Sequence, residues 1–139
     1  MIGQSTAVIT DADLTRLEAM MRSLRTVGEP FRGQANALRE HVRQARLVPA
    51  LQVEPDVVTM NSRVRVRDVE SGRVETLTLA YHGDAGMFDG RLSVLSPLGV
   101  RALGARVGDI LEWQVPRGAR RLVIERILFQ PESEKEFGL

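Results

Sequence analysis

Apolar side chains recur along this chain with two different periods, and the change of period divides it. From Thr10 to Val48 the spacing is helical. Leu14, Leu17, Met21 and Leu24 fall at 3-4-3 intervals, and Ala35, Leu38, Val42 and Ala45 repeat them. Each set draws a stripe down one side of a helix, the pattern of a short coiled-coil seam. Thr10, with Asp13 three residues on, predicts an N-terminal cap in which the hydroxyl accepts an early helical N–H. Arg22 and Arg25 suit the negative end of the first helix dipole. Between the stripes, TVGEPFRG carries Gly28 and Pro30, which stop the first helix and let the chain reverse. The pattern predicts an antiparallel helical hairpin over residues 8–48. A pair this short is marginal in water, and the second stripe has Ala at two of its four positions. The hairpin is therefore expected to lean on another element or to be partly mobile.

Pro49 and Pro55 mark a linker over residues 49–56, after which the period becomes that of strands. Val64 and Val66 alternate with Arg63, Arg65 and Arg67, and after a Ser71-Gly72 turn Leu77, Leu79 and Tyr81 alternate with Thr76, Thr78 and Ala80. These two runs predict a β-hairpin with one buried face. A Gly/Asp-rich loop at 82–90 leads into the strand-like LSVL, and Ser96-Pro97 opens a short helix that ends at Gly104. Pro suits the first helical position, where its missing N–H would be unpaired anyway, and Ser96 can cap from the residue before. Leu111, Trp113 and Val115 share one side of the next strand. The final run, LVIERILF, is apolar on both sides of any strict alternation, which predicts a bulge or a strand buried on two faces. Residues 57–132 thus read as an antiparallel α+β sheet domain of five strands and one short helix, followed by a charged tail at 133–139.

Composition narrows the class. With 139 residues, 43% hydrophobic and 27% charged, the chain can bury a real core and is not of disordered type. The net charge of +1 gives no global sign of nucleic-acid binding. Every Lys or Arg except Lys135 is an arginine, a side chain suited to carboxylate and phosphate, although codon usage accounts for the bias as simply. The absence of cysteine excludes disulfides, thiolate zinc sites and a cysteine nucleophile. No secretory signal or membrane-length apolar run is visible, so a cytoplasmic protein without membrane contact is expected.

Catalytic chemistry is hard to find. His41 and His82 lie far apart, and neither has a metal-ligand neighbour at helical spacing. No serine stands in a nucleophile elbow, and no phosphate-binding glycine motif is present. Glu70, Asp84 and Asp89 are scattered acids at turns. Aromatic content of 4% is low for a base-stacking platform. No catalytic residue, metal site or cofactor is predicted, which favours a protein that works by docking.

Three stretches taken together are specific. VTMNSRVRVRD at 58–68, LSVLSPLGVRALGARVGD at 92–109 and the ending W-x-V-P-x-G through FQPE resemble the GreA/GreB transcription factors, most of all a smaller subfamily of regulators. The resemblance covers about residues 10–132 and is strongest in the C-terminal part. It implies an FKBP-like C-terminal domain behind a coiled-coil arm. It also implies binding to bacterial RNA polymerase, the arm facing the secondary channel and the domain gripping its rim. The contacts so implied are Glu29, Phe31 and Arg32 at the tip, and Ser96, Pro97 and Leu98 at the domain's turn. Two departures follow. The cleavage factors bear close-set carboxylates at the tip that help hold a catalytic magnesium ion, whereas this tip offers only Glu29 beside Arg32. Their rim-binding turn reads Asp-Ser-Pro, and here Leu95 replaces the acid. The expectation is a non-catalytic polymerase-binding regulator with no direct specific DNA binding. The alternative is an interaction module of the same fold whose partner is not polymerase. A cleavage factor or a prolyl isomerase is disfavoured.

Overall fold

The computed structural model describes residues 6–24, 31–82 and 90–135. In chain order these form β1 (Val8–Thr10), α1 (Asp11–Ser23), α2 (Phe31–Arg43), β2 (Arg46–Val48), β3 (Arg63–Asp68), β4 (Val74–Ala80), β5 (Arg91–Ser93), α3 (Pro97–Ala102), β6 (Ile110–Val115) and β7 (Gly118–Phe129). The expected mixed α+β architecture is present: two helices precede a five-stranded sheet of order β5-β4-β3-β7-β6.

Both stripes lie on the covered sides of their helices. Leu17, Met21 and Leu24 of the first and Ala35 and Leu38 of the second are buried, while Leu14, Val42 and Ala45 are half-buried. They do not close on one another alone. Leu17, Met21, Leu24 and Leu38 belong to the same apolar cluster as Val58, Met60, Val94, Leu103 and Ile124 of the sheet part. That contact is the support the thin second stripe needs. Each fully buried Leu contributes about 1.5–3 kcal/mol relative to leaving it in water.

Helix α2 ends at Arg43, earlier than its apolar period implies, and residues 46–48 turn extended. Val48 precedes Pro49, whose ring disfavours helical backbone at the residue before it. The parallel pairing of Val8, Ile9 and Thr10 with Arg46, Leu47 and Val48 then satisfies the extended chain. A single 3-10 turn, Ala50–Gln52, sits within the segment read as linker.

In the sheet, β3 and β4 pair in the expected register, Val64 opposite Leu77. Along β7 the register against β3 shifts between Arg63 and Val64 and again between Arg65 and Val66, so the strand with apolar residues on both sides is bulged, as its sequence implies. The sheet is antiparallel except at one edge, where β5 runs parallel to β4.

Two glycines fix how α3 and β1 sit. A Cβ on Gly99 would lie 1.9 Å from the Ser93 carbonyl oxygen, so only glycine lets α3 fold back on β5. Gly104, at φ +81°, ends the α3 segment, and a Cβ there would lie 2.7 Å from the Val8 backbone nitrogen. The Val8 N–H donates to the Gly104 carbonyl at 3.1 Å, which ties the start of the helical part to the sheet part.

Candidate partner-binding face

Helix α3 is set by its cap. The Ser96 hydroxyl accepts from the Gly99 N–H at 3.0 Å and donates to the Ser93 carbonyl at 2.7 Å, so it is committed to the turn itself. Pro97 occupies the first turn and is exposed. Leu98 points the other way. It is half-buried against the core and borders a small apolar gap with Val64, Leu79 and Leu111. Of the three turn residues, Pro97 is the one the fold presents to solvent.

Pro97 forms the rim of a larger feature. An open groove of about 580 Å³ runs between α2, α3 and β6, with Gln34, His41 and Gln44 on one wall and Pro97, Arg101 and Trp113 on the other. Its walls are held together by His41, whose Nε2 lies 2.8 Å from the Leu103 carbonyl oxygen and donates to it in the Nε2–H tautomer. Burial pushes the imidazole's pKa down, the Leu103 carbonyl opposes this, and the Arg101 charge adds to the lowering. His41 therefore serves as a neutral strut. Trp113 lies under the Arg120 guanidinium at 5.5 Å, and Arg120 also binds Asp68 at 3.0 Å.

The tip residues fall elsewhere. Glu29 and the Phe31 side chain lie outside the described residues. Arg32 is exposed at the start of α2 and borders a second groove of about 400 Å³ with Met21, Leu24, Ala35, Asn36 and Arg39. Helix α2 thus fronts two grooves, with Arg32 on one and Gln34 on the other. The structure does not bring Arg32 and Pro97 into one site.

A buried carboxylate is the residue that sequence reasoning undervalued. Asp13 is 2% exposed. Its backbone N–H donates to Thr10 Oγ1 at 3.1 Å, the expected cap. Its side chain meanwhile reaches the sheet part: Oδ2 accepts from the Met60 N–H at 3.0 Å, and Oδ1 lies 3.4 Å from the Tyr81 hydroxyl. Burial raises its pKa to about 6, the Met60 N–H working against the shift and the neighbouring Glu132 charge with it. Arg16 stacks over the Tyr81 ring at 5.2 Å. The available signal was position, because Asp13 falls four residues before Leu17 and so on the same stripe.

Among the described residues, no group of three His, Cys, Asp or Glu side chains is placed to hold a metal ion. Among the same residues no helix is long and apolar enough to cross a membrane.

Comparison with known proteins agrees with this architecture. Residues 52–129 match the family model described as transcription elongation factor GreA/GreB, C-terminal. The chain is 33% identical to the regulator of nucleoside diphosphate kinase of Escherichia coli over 99% of its own length and 100% of that protein's. It is 28% identical to transcription elongation factor GreA of Syntrophomonas wolfei, over 68% of this chain and 60% of that one. Among solved structures, a prokaryotic transcription elongation factor GreA/GreB from Nitrosomonas europaea superimposes with a TM-score of 0.71. That protein is 32% identical, and the match covers 90% of this chain and 99% of the other. The family match spans more than half of the chain and the regulator matches it end to end; this protein belongs to the GreA/GreB family of transcription factors.

Proposed function

We propose that this chain is a non-catalytic, cytoplasmic transcription regulator that binds bacterial RNA polymerase at the rim of its secondary channel. The observation that carries the reading is the Pro97 rim. The exposed first turn of α3 and the flank of α2 meet in one groove, in a protein of a transcription-factor family. Proline at a docking turn is rigid before binding, so little ordering entropy is lost on contact. Pro97 is the direct contact in this reading, while Ser96 sets the turn and Leu98 anchors it from inside. Glu29, Phe31 and Arg32 form the second contact, toward the channel.

The helices argue against cleavage. Each has thirteen residues, a length of about 20 Å. A hard cation needs oxygen ligands in near-octahedral array, and the tip contributes one carboxylate, Glu29, beside a competing Arg32.

Co-purification of the full chain with polymerase core tests the reading. Capture supports it. Failure of the folded protein to bind core supports the alternative, an interaction module of the same fold with another partner.

A further inference from the structure

The sheet's second face, opposite the helices, is strongly cationic. With Val64 and Val66 buried toward the helices, the alternate positions of β3 point outward, and the pairing places their neighbours. Arg91, Thr78, Arg63 and Phe129 form one row across β5, β4, β3 and β7. Thr76, Arg65 and Arg126 form the next. Arg67 follows in a row with Val74, Val123 and Ile110, and beyond it Arg121 faces Glu112.

Arg65 stands directly opposite Arg126, a like-charge pair that disfavours the free sheet. The register shift between Arg65 and Val66 puts Glu125 on this face, where it binds Arg65 Nε at 3.2 Å and Arg67 Nε at 2.5 Å. Among the described residues, Arg63 and Arg126 have no ion pair. Six arginines of a chain of net charge +1 thus lie on one side of one sheet, with Glu112 and Glu125 among them.

We propose that this face, centred on Arg63, Arg65 and Arg126, binds the phosphate backbone of single-stranded RNA. Guanidinium forks match phosphate oxygens, and the flanking hydroxyls of Thr76 and Thr78 are of the kind that contact phosphate. Alternate residues on β3 repeat at about 6.8 Å, so its arginines offer a ladder of charge along an extended strand. A protein partner would need buried apolar anchors at the centre of the contact. Here Val74, Val123 and Ile110 share a row with Arg67, and Phe129 stands opposite Arg63 at the end of β7, while the central row of Thr76, Arg65 and Arg126 carries no apolar side chain. Duplex grooves admit a projecting helix or ribbon, whereas this is an open sheet, the form of surface on which single strands lie. RNA is the product of the process in which the family acts. The proposal goes beyond the polymerase reading and is tested without polymerase.

The test is fluorescence anisotropy of a labelled oligouridine of about twelve nucleotides with the full chain at about 50 mM salt. Binding is expected in the micromolar range, weakening with salt at a log–log slope of roughly 2 to 3, about 0.7 per phosphate. Arg63→Gln with Arg126→Gln is expected to weaken binding on the order of tenfold and to reduce the slope by about 1.4. Arg63→Gln alone should give about a third of a decade to half a decade. Arg39→Gln with Arg43→Gln, on α2, should change little. Thermal melting confirms that the exposed-face variants fold. The proposal is overturned by no binding, by unchanged binding of the folded sheet-face variants, or by loss through the α2 pair instead. Competition by polyglutamate as effective as by RNA would assign an acidic protein partner instead. Tighter binding of a DNA strand of the same length would also overturn it.

Discussion

The Asp13 carboxylate accepts the Met60 backbone N–H at 3.0 Å, across 47 residues of sequence. A side chain in the first turn of α1 thereby satisfies a buried donor just ahead of β3, and this bond joins the helical and sheet parts alongside those of Val8 with Gly104 and His41 with Leu103. The arrangement is costly when charged, since burial disfavours the ionised form.

That cost sets a pH dependence. Asp13's folded pKa, about 6, lies above its ordinary value of 3.8, so its neutral form is favoured in the native state. Its contribution to stability is full below about pH 4 and is lost as pH rises through 6. The lost amount is at most about 3 kcal/mol, the free-energy equivalent of the gap between the folded and ordinary pKa values. Asp13→Asn keeps an acceptor for Met60 and cannot ionise. It is expected to equal or exceed wild type at pH 7, with the difference shifting in favour of wild type towards pH 4. Asp13→Ala leaves the Met60 N–H unpaired and is expected to cost about 1–3 kcal/mol. Urea denaturation at several pH values checks both. His41 has the opposite sign, its lowered pKa favouring the native state at higher pH, and is common to both proteins in the Asp13→Asn comparison.

Gly104→Ala is expected to destabilise by roughly 2 kcal/mol or more. The left-handed backbone alone costs an L-residue about 1–2 kcal/mol, and the new methyl would press on the backbone of Val8. The strain should appear locally first. Hydrogen exchange at the Val8 amide, bonded to the Gly104 carbonyl, should accelerate more than exchange in β3.

Transcript cleavage offers a negative test. Backtracked polymerase complexes incubated with wild type, Val27→Asp or Phe31→Glu are expected to cleave at the intrinsic polymerase rate. The helices are short, and added charge does not supply metal-ligand geometry. Stimulation by wild type would contradict the non-catalytic reading. Stimulation by the acidic variants alone would show that reach was adequate and only charge was missing.

The elements with a strong local signal were legible. Alternation in RVRVR and TLTLA specified β3 and β4, Ser96-Pro97 specified the α3 cap, and the two-sided apolarity of LVIERILF pointed to the bulged β7. Other features depend on distant partners. The three-residue strands β1 and β2 are too short to show a period and exist because they pair with each other. Strand β5 reads as a strand, but alternation carries no direction, so its parallel pairing was hidden. The groove between α2 and β6 is lined by residues some 70 positions apart, such as His41 and Trp113, and no local spacing encodes it. Leu98 and Pro97 are neighbours in sequence, and only the docking of α3 separates the inward side chain from the exposed one.

Docking through the Pro97 turn is tested by the affinity of immobilised RNA polymerase core for wild type, Pro97→Ala and Pro97→Glu. An acid at the first turn suits the helix dipole, so Pro97→Glu should keep α3 intact while placing a charge on the groove rim. Saturable wild-type binding is expected, with a loss of about threefold for Pro97→Ala, which removes the rigid ring, and about tenfold weaker binding for Pro97→Glu, a loss of roughly 1.4 kcal/mol. No binding by folded wild type, or undiminished binding by folded Pro97→Glu, would contradict docking through this turn.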